Sequence, residues 1–399
     1  MIVKRLFEVF LALLITVVFF LFCEGTLRVI YPERIPNIKH EPEKYAYVYN
    51  PHYLAALKPN IEREYLRSHA NGGCFIRWQT NSHSFRGPEL REHPDLRIMV
   101  YGDSNVHAMF SILENTFAFR LESRLKTLTH RDIEVVNAGV NGFGPDQYFL
   151  RFSDEVDVYH PNIVIFVVFA DNDFGDMVRN RLYDVGPTGE LVETGFERTV
   201  DQELQSQPFQ DFASNLLLVV GVRKVWAMAT GQHPTKLDTF LSLNKQEYSI
   251  YARHQNRSFS VFANHFDADL ALFPASPAGK TKVGLMNGVL RKAEQLADSR
   301  HVKFMVVIEP SSMDLTTNME PNYKTFETYP DYKRTNLSSF VERACVANRI
   351  PYINLWGPFS ENNPENLYFK VDDNHWNDAG QDLASQEAAK FIADRFLSK

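Results

Sequence analysis

Cysteine is scarce in this chain, with three among 399 residues: Cys23, Cys74 and Cys345. The three lie far apart and none shows C-x-x-C spacing, which argues against a zinc-binding or disulfide-rich scaffold. Cys23 lies in an apolar N-terminal segment, so Cys74 and Cys345 form the one possible pair. Because a lone cysteine usually behaves as a small buried hydrophobe, we expect two free thiols instead.

An excess of basic residues is also missing, since 42 Lys and Arg against 49 Asp and Glu give a net charge of -7. No basic stretch interleaved with aromatic residues offsets this charge, which argues against a nucleic-acid partner. Histidine pairs at metal-ligand spacing are absent too. Metal-dependent hydrolysis through Asp372, Asp373 and His375 is therefore disfavoured, and we expect neither a metal nor a cofactor.

Internal repeats and low-complexity tracts are lacking as well. With 44% hydrophobic and 23% charged residues, the composition is that of a globular protein. A chain of this length is able to bury a full core, as one enlarged domain or as a domain with an insertion.

The N-terminus carries the one long apolar run, from Leu6 to Cys23, after the basic residues Lys4 and Arg5. Its length is about the minimum for one membrane-spanning helix. A cleaved signal peptide is the alternative, but bulky residues occupy the region where a signal peptidase requires small ones. We therefore expect an uncleaved anchor at residues 1–30, with a cytoplasmic N-terminus and an extracytoplasmic, periplasmic body.

After the anchor, residues 31–95 form a polar, proline-containing connector in which we expect irregular structure with short strands. Alternating strands and helices begin at residue 96 and predict a three-layer α/β/α domain with a mostly parallel sheet over residues 96–399. Turn-rich, aperiodic residues 174–279 interrupt this alternation as an inserted cap, in which residues 215–229 are expected to form an amphipathic or buried helix. The predicted strands lie at residues 96–102, 133–139, 162–170, 302–310 and 351–356, and the predicted helices at residues 114–128, 146–159, 280–300, 336–348 and 378–397.

A Gly-Asp-Ser turn follows the first of these strands and presents Ser104 at its end. A serine hydroxyl is a weak nucleophile, so it needs a neighbouring base and a group that orients the base. Asp372 and His375, three positions apart and just before the last helix, are candidates for the orienting group and the base. Ordinary turn and helix-cap chemistry is the alternative explanation for both motifs.

Two further loops follow strands at the same predicted edge of the sheet. The first contains Gly139, Gly142 and Gly144, where a backbone N–H is able to approach a substrate closely. The second contains Asn172, whose side-chain amide is a candidate donor to a developing oxyanion. A glycine-rich turn and an Asx turn are the alternatives.

These motifs resemble, in order, four blocks of the SGNH hydrolases, also called GDSL esterases or lipases. The resemblance implies a flavodoxin-like fold for the α/β/α domain. The resemblance implies that Ser104 is the nucleophile, His375 the general base and Asp372 its orienting acid. It also implies an oxyanion hole formed by the N–H groups of Ser104 and Gly142 and by the Asn172 amide. The chain departs from the family pattern at Ala170 and at residues 105–107, where we expect His107 to be structural.

The segment TNSHSFRGPE at residues 80–89 is similar to one in membrane-anchored bacterial members of that family. The resemblance implies an acyl-ester substrate, with acetyl groups of surface polysaccharides as the expected target, and a possible membrane-protein partner. Water and a sugar hydroxyl both resolve an acyl-enzyme, so hydrolysis and transfer both stay open. A non-catalytic scaffold or carbohydrate-binding accessory subunit of a membrane complex is the alternative of another class.

Overall fold

We describe the fold from a computed structural model, which covers residues 2–30, 46–67, 71–195, 218, 267–316, 333–369 and 375–398. Asp372 lies outside the described residues, as do the helix expected at residues 215–229, apart from Leu218, and most of the predicted cap.

The core of the molecule is a five-stranded parallel sheet formed by β5 Leu96–Tyr101, β6 Ile133–Asn137, β7 Ile163–Ala170, β10 Lys303–Pro310 and β11 Tyr352–Asn354. The strands lie in the order β6-β5-β7-β10-β11. In chain order this is 2-1-3-4-5, the flavodoxin-like arrangement, so the predicted fold class is confirmed. In such sheets ligands bind outside the carboxyl ends of the strands where the strand order reverses, here beside β5 and β7.

Helices cover both faces of the sheet because its central strands are apolar on both sides. All eight residues of β7 are buried, as expected for a strand without a solvent-facing side. The helices are α1 Ile2–Ile30, α2 Ser104–His107, α3 Phe117–Thr129, α4 Pro145–Tyr159, α5 Asp173–Asn180, α6 Ala268–Leu272, α7 Pro277–Ser299, α8 Ser312–Leu315, α9 Asn336–Ala347, α10 Trp356–Glu361 and α11 Asp378–Ile392. Helices α3 and α11 cover one face, and α4, α7 and α9 cover the other.

The helix predicted at residues 114–128 begins later than expected. Leu113–Asn115 form a separate 3-10 turn, and the hydroxyl of Thr116 caps α3 by accepting from the N–H of Phe119. A threonine side chain in this position satisfies one of the free N–H groups at a helix start. The start predicted at Glu114 was therefore wrong by three residues.

The described part of the connector forms two antiparallel hairpins, which confirms the expected short strands. They pair β1 Tyr47–Asn50 with β2 Leu54–Leu57, and β3 Glu62–Arg67 with β4 Cys74–Gln79. Tyr65, Ile76 and Trp78 of the second hairpin are buried in the core. Cys74 is partly exposed and Cys345 is buried, and both are free thiols, as expected.

Asp267 anchors the chain where the predicted cap returns to the sheet. Its N–H donates to the carbonyl of Asp171 at 2.6 Å, and its carboxylate accepts from the N–H of Gly175. Lys282 completes a buried ion pair with the same carboxylate at 2.6 Å. Before this point, α5 is buried along its whole length, and a short hairpin of β8 Tyr183–Val185 and β9 Leu191–Glu193 follows it.

The N-terminal helix α1 contains an apolar stretch, Phe10–Ile30, with a mean hydropathy of 2.3, of which only 6% is buried. By length and composition this stretch is long and apolar enough to cross a membrane. Membrane anchors and signal sequences share these properties.

Candidate active site

Ser104 is the first residue of α2 and follows a turn in which position 102 has no room for a side chain. A Cβ atom on Gly102 would lie 2.3 Å from Cγ2 of Val106, so glycine is required there. The carboxylate of Asp103 then accepts a hydrogen bond from the N–H of Asn105 at 2.9 Å and caps the short helix. The end of β5, the turn at Gly102 and the cap by Asp103 together fix the position of Ser104 at the edge of the sheet.

His375 reaches Ser104 from a loop near the other end of the chain. The distance from Ser104 Oγ to His375 Nε2 is 2.6 Å, and Asp103 Oδ2 lies 3.3 Å from the same hydroxyl. An unprotonated Nε2 is able to accept the serine proton at this distance, as general base catalysis requires. Two of the residues singled out in the sequence are thus brought together.

The loop that carries His375 is held by main-chain and aromatic contacts. The carbonyl of His375 accepts from the N–H of Phe369 at 3.0 Å. The next side chain, Trp376, is buried and packs against the rings of Phe117 and Phe359. Asn377 then caps α11 through its side-chain oxygen. His375 is therefore fixed between a bridge to Phe369 and the start of a helix.

The two loops with candidate oxyanion donors follow β6 and β7, whose carboxyl ends lie at the same edge of the sheet. Gly142 has a φ of +74° and open space where a Cβ would stand, a backbone conformation that favours glycine. Gly139 allows its loop to approach α2, since a Cβ there would lie 2.4 Å from the N of His107. Asn172 follows β7, and its Nδ2 donates to Asp176 at 3.2 Å.

A cleft of about 60 Å³ lies beside Ser104 and His375. Met109, Phe110 and Phe369 are among the apolar residues that line it. The second connector hairpin supports two of these residues, because Arg67 donates to the carbonyl of Phe110 at 3.2 Å and lies 5.6 Å from the centre of the Phe369 ring. The connector is thus part of the surroundings of the cleft.

His107 also lines the cleft, but it has the features of a structural side chain. Its ring is buried 4.9 Å from the ring of Trp78, and no described residue hydrogen-bonds to its nitrogens. Burial, together with the positive charges of Arg86 and His375, lowers the pKa of His107 to about 3. The imidazole is therefore neutral at physiological pH.

Arg86 is a buried residue of the site that the sequence analysis did not single out. Its guanidinium donates to the carbonyl oxygens of His107, Ala108 and Ser111, the last at 2.6 Å. Burial lowers its pKa to about 9. Arg86 thereby holds the segment that continues from Ser104. The one signal for it was its place in the segment at residues 80–89.

Asp103, next to Ser104, is buried, as are Asp173 and Glu309, whose carboxyl groups interact electrostatically with it. Burial raises the pKa of Asp103, and burial and neighbouring negative charges raise the pKa values of Asp173 and Glu309 well above their usual range. No described residue donates a hydrogen bond to either carboxyl oxygen of Glu309. In the described part of the chain, no group of three or more His, Cys, Asp or Glu side chains is placed to hold a metal ion.

Esterases and lipases of known structure resemble the chain at low similarity, and three of them serve as examples. An acetyl xylan esterase, AlAXEase, shares 15% identity over 74% of this chain and 100% of its own, with a TM-score of 0.37. Axe2, an acetylxylan esterase from Geobacillus stearothermophilus, shares 12% over 77% and 97%, with a TM-score of 0.38. A lipase/acylhydrolase from Enterococcus faecalis shares 12% over 75% and 96%, with a TM-score of 0.38. No curated protein sequence matches the chain significantly.

The family comparison is more specific than these structural likenesses. Residues 98–388 match the family of GDSL-like lipases and acylhydrolases. The matched region begins in β5, before Ser104, and extends into α11, after His375. This chain belongs to that family and is an ester-hydrolysing enzyme of the SGNH type.

Proposed function

We propose that the protein is a membrane-tethered serine esterase or O-acyltransferase that acts on acyl groups of extracytoplasmic glycans. Ser104 is the nucleophile, His375 the general base and Asp372 the acid that orients the imidazole. The observation that carries the proposal is the distance of 2.6 Å between Ser104 Oγ and His375 Nε2. A scaffold has no use for a base within bonding reach of a serine.

In the first half of the proposed reaction, Oγ of Ser104 forms a bond to the acyl carbon while its proton passes to Nε2 of His375. The N–H groups of Ser104 and Gly142 and the Asn172 amide stabilise the resulting oxyanion. Asn172 is able to do so because Nδ2 carries two hydrogens and its bond to Asp176 uses one of them. The intermediate then releases the alcohol, which takes the proton from His375.

In the second half, a water molecule or a sugar hydroxyl attacks the acyl-enzyme and gives its proton to His375. The bond from the acyl carbon to Ser104 Oγ breaks, and the serine recovers the proton. The same residues thus serve hydrolysis and transfer, and the acceptor decides the product.

A short acyl group is the substrate that the cleft supports best. Its volume is about 60 Å³, and a cavity needs about 10–15 Å³ to hold one water molecule, so the cleft has room for a group of a few heavy atoms such as acetyl. We assign residues 1–30 to an anchor, 31–95 to a connector and 96–399 to the SGNH domain, with a cap at 174–279 that selects the substrate. The basic residues before the apolar stretch of α1 favour a cytoplasmic N-terminus and a periplasmic body.

The decisive experiment uses the full chain in detergent. A fluorophosphonate probe is expected to label the wild type on Ser104 and to leave Ser104→Ala unlabelled. Turnover of an aryl acetate is then followed with and without oligosaccharide acceptors. Acetylated sugar above the hydrolysis background indicates transfer, and acetate alone indicates an esterase. A folded wild type that neither takes the probe nor releases acetate would favour a scaffold.

The location has its own test. Membrane fractionation of cells that express the full chain, followed by protease treatment of spheroplasts, is expected to find the chain in the membrane with its body digested. A body that resists the protease until the cells are lysed would contradict the proposed orientation.

A further inference from the structure

Asn105 connects the two chain segments that carry Ser104 and His375. It follows Ser104 directly, and its fully buried side chain accepts a hydrogen bond at 2.9 Å from the N–H of Trp376, which follows His375. The bond joins residues 271 positions apart. Each partner is thus the immediate neighbour of one member of the proposed catalytic pair.

A second contact fixes Asn105 itself. Its main-chain carbonyl oxygen accepts from Nε2 of Gln381 at 2.8 Å, and Oε1 of Gln381 accepts from the N–H of Phe117 at 2.7 Å. Gln381 belongs to α11 and Phe117 to α3, so Asn105 is braced by two helices. Such rigid surroundings are what a reacting group needs to stay within a fraction of an ångström of its working position.

The hydrogen bond to Trp376 has no substitute in the described part of the chain. Tyr368 and Trp376 form an isolated antiparallel β-bridge. Its main-chain hydrogen bonds are donated by the N–H of Phe369 to the carbonyl of His375 and by the N–H of Asn377 to the carbonyl of Leu367. Neither of them uses the N–H of Trp376. Removing the Asn105 oxygen would leave this buried N–H without a partner, at a cost that drives the loop to move.

We propose that Asn105 is a positioning residue for the reaction: its side-chain oxygen sets the distance between His375 and Ser104. The inference rests on the proposed roles of that pair. A misplacement of about 1 Å between reacting groups lowers the rate by roughly 100-fold. Loss of the oxygen therefore lowers kcat, whereas KM for a small acetate ester changes little.

Two substitutions of similar size separate positioning from packing. Asn105→Leu removes the acceptor, and Asn105→Asp keeps an acceptor oxygen in either protonation state. No described residue accepts from Nδ2 of Asn105, so the aspartate loses no donor bond. We expect Asn105→Leu to lower kcat and the rate of fluorophosphonate labelling by about 100-fold. Asn105→Asp is expected to recover most of both rates.

A matched control removes an asparagine far from the site. Asn348 lies between α9 and β11, at the amino end of the strand, and donates to Ala344 and Asn287. Asn348→Leu is expected to lower the melting temperature and leave kcat unchanged. If Asn105→Leu does not fold, Asn105→Ala, which also lacks the acceptor, replaces it.

The outcomes distinguish this inference from the proposed function. A wild type without labelling or turnover would refute the catalytic pair itself. An active wild type whose acceptor-free variants keep the wild-type kcat and labelling rate would overturn the role of Asn105 alone. Equal losses in the leucine and aspartate variants would also overturn it, since they would show a packing effect.

Discussion

Oγ of Ser104 and Nε2 of His375 lie 2.6 Å apart, although 271 positions separate the two residues along the chain. Ser104 begins a capped helix after β5, and His375 lies in the loop before α11. If the two act as one unit, their contributions to catalysis are not additive. The first prediction tests this non-additivity.

Ser104→Ala and His375→Ala are each expected to lower kcat for an aryl acetate by roughly 10⁶-fold. The double variant should be no slower than either single one, because removing one member already disables the pair. Ser123→Ala, on the exposed side of α3, is the control and should keep the wild-type kcat. Near-full activity of His375→Ala would show that another group takes the proton.

Two neighbouring acids test the assignment of the orienting carboxylate. Asp372→Asn is expected to lower kcat by roughly 10⁴-fold and leave measurable turnover, since an amide holds the imidazole in the wrong tautomer. Asp373→Asn, which changes the adjacent charge in the same way, should have a small effect. If steady-state kinetics showed the larger loss of kcat for Asp373→Asn, Asp373 would be the acid that orients the imidazole.

The local part of the site could be predicted from the sequence. Apolar runs that end in Gly-Asp-Ser and in turn residues place Ser104 and Asn172 after neighbouring parallel strands, because strand ends and turns are encoded locally. The alternation of strands and helices likewise gave the fold class. The order of the strands is set by packing over long distances, and no local pattern shows it.

The roles of Arg86 and Asn105 in the site could not be predicted from the sequence, for a different reason. Their partners are main-chain atoms: the carbonyl groups of residues 107, 108 and 111, and the N–H of Trp376. Every residue type except proline offers such an N–H, and every residue offers the carbonyl. A side chain that bonds to the backbone therefore leaves no complementary residue to recognise. Asn105 looked like a departure from the family pattern.

Gly142 provides a prediction in which strain and catalysis are separable. Its φ of +74° makes alanine strained although the space is open, at about 1 kcal/mol of unfolding free energy. If its N–H belongs to the oxyanion hole, Gly142→Ala should also lower kcat by roughly 10-fold to 100-fold. Denaturant unfolding and aryl acetate kinetics measure the two effects.

Gly189 is the matched control for that substitution. It has a φ of +83° and equally open surroundings, in the turn between β8 and β9. Gly189→Ala should lower the unfolding free energy to a similar extent and leave kcat for the small ester unchanged. Equal kcat values for the two variants would remove Gly142 from the oxyanion hole.

Glu309 gives a prediction for the pH dependence of stability. Burial, and then the negative charges of Asp103, Asp173 and Asp171, raise the pKa of Glu309 well above 4.5. The folded chain therefore binds this proton more tightly than the unfolded chain. Its contribution to stability is fully present below pH 4.5 and is lost as the pH rises towards the folded pKa, by up to about 1.4 kcal/mol per pH unit.

Glu309→Gln keeps the shape of the side chain and removes its titration. The difference in unfolding free energy between variant and wild type should therefore grow in favour of the variant as the pH rises above 4.5. Denaturant unfolding at several pH values measures this difference. If the stability of Glu309→Gln ran parallel to that of the wild type at every pH, the buried carboxyl would have to titrate alike in the folded and unfolded chains.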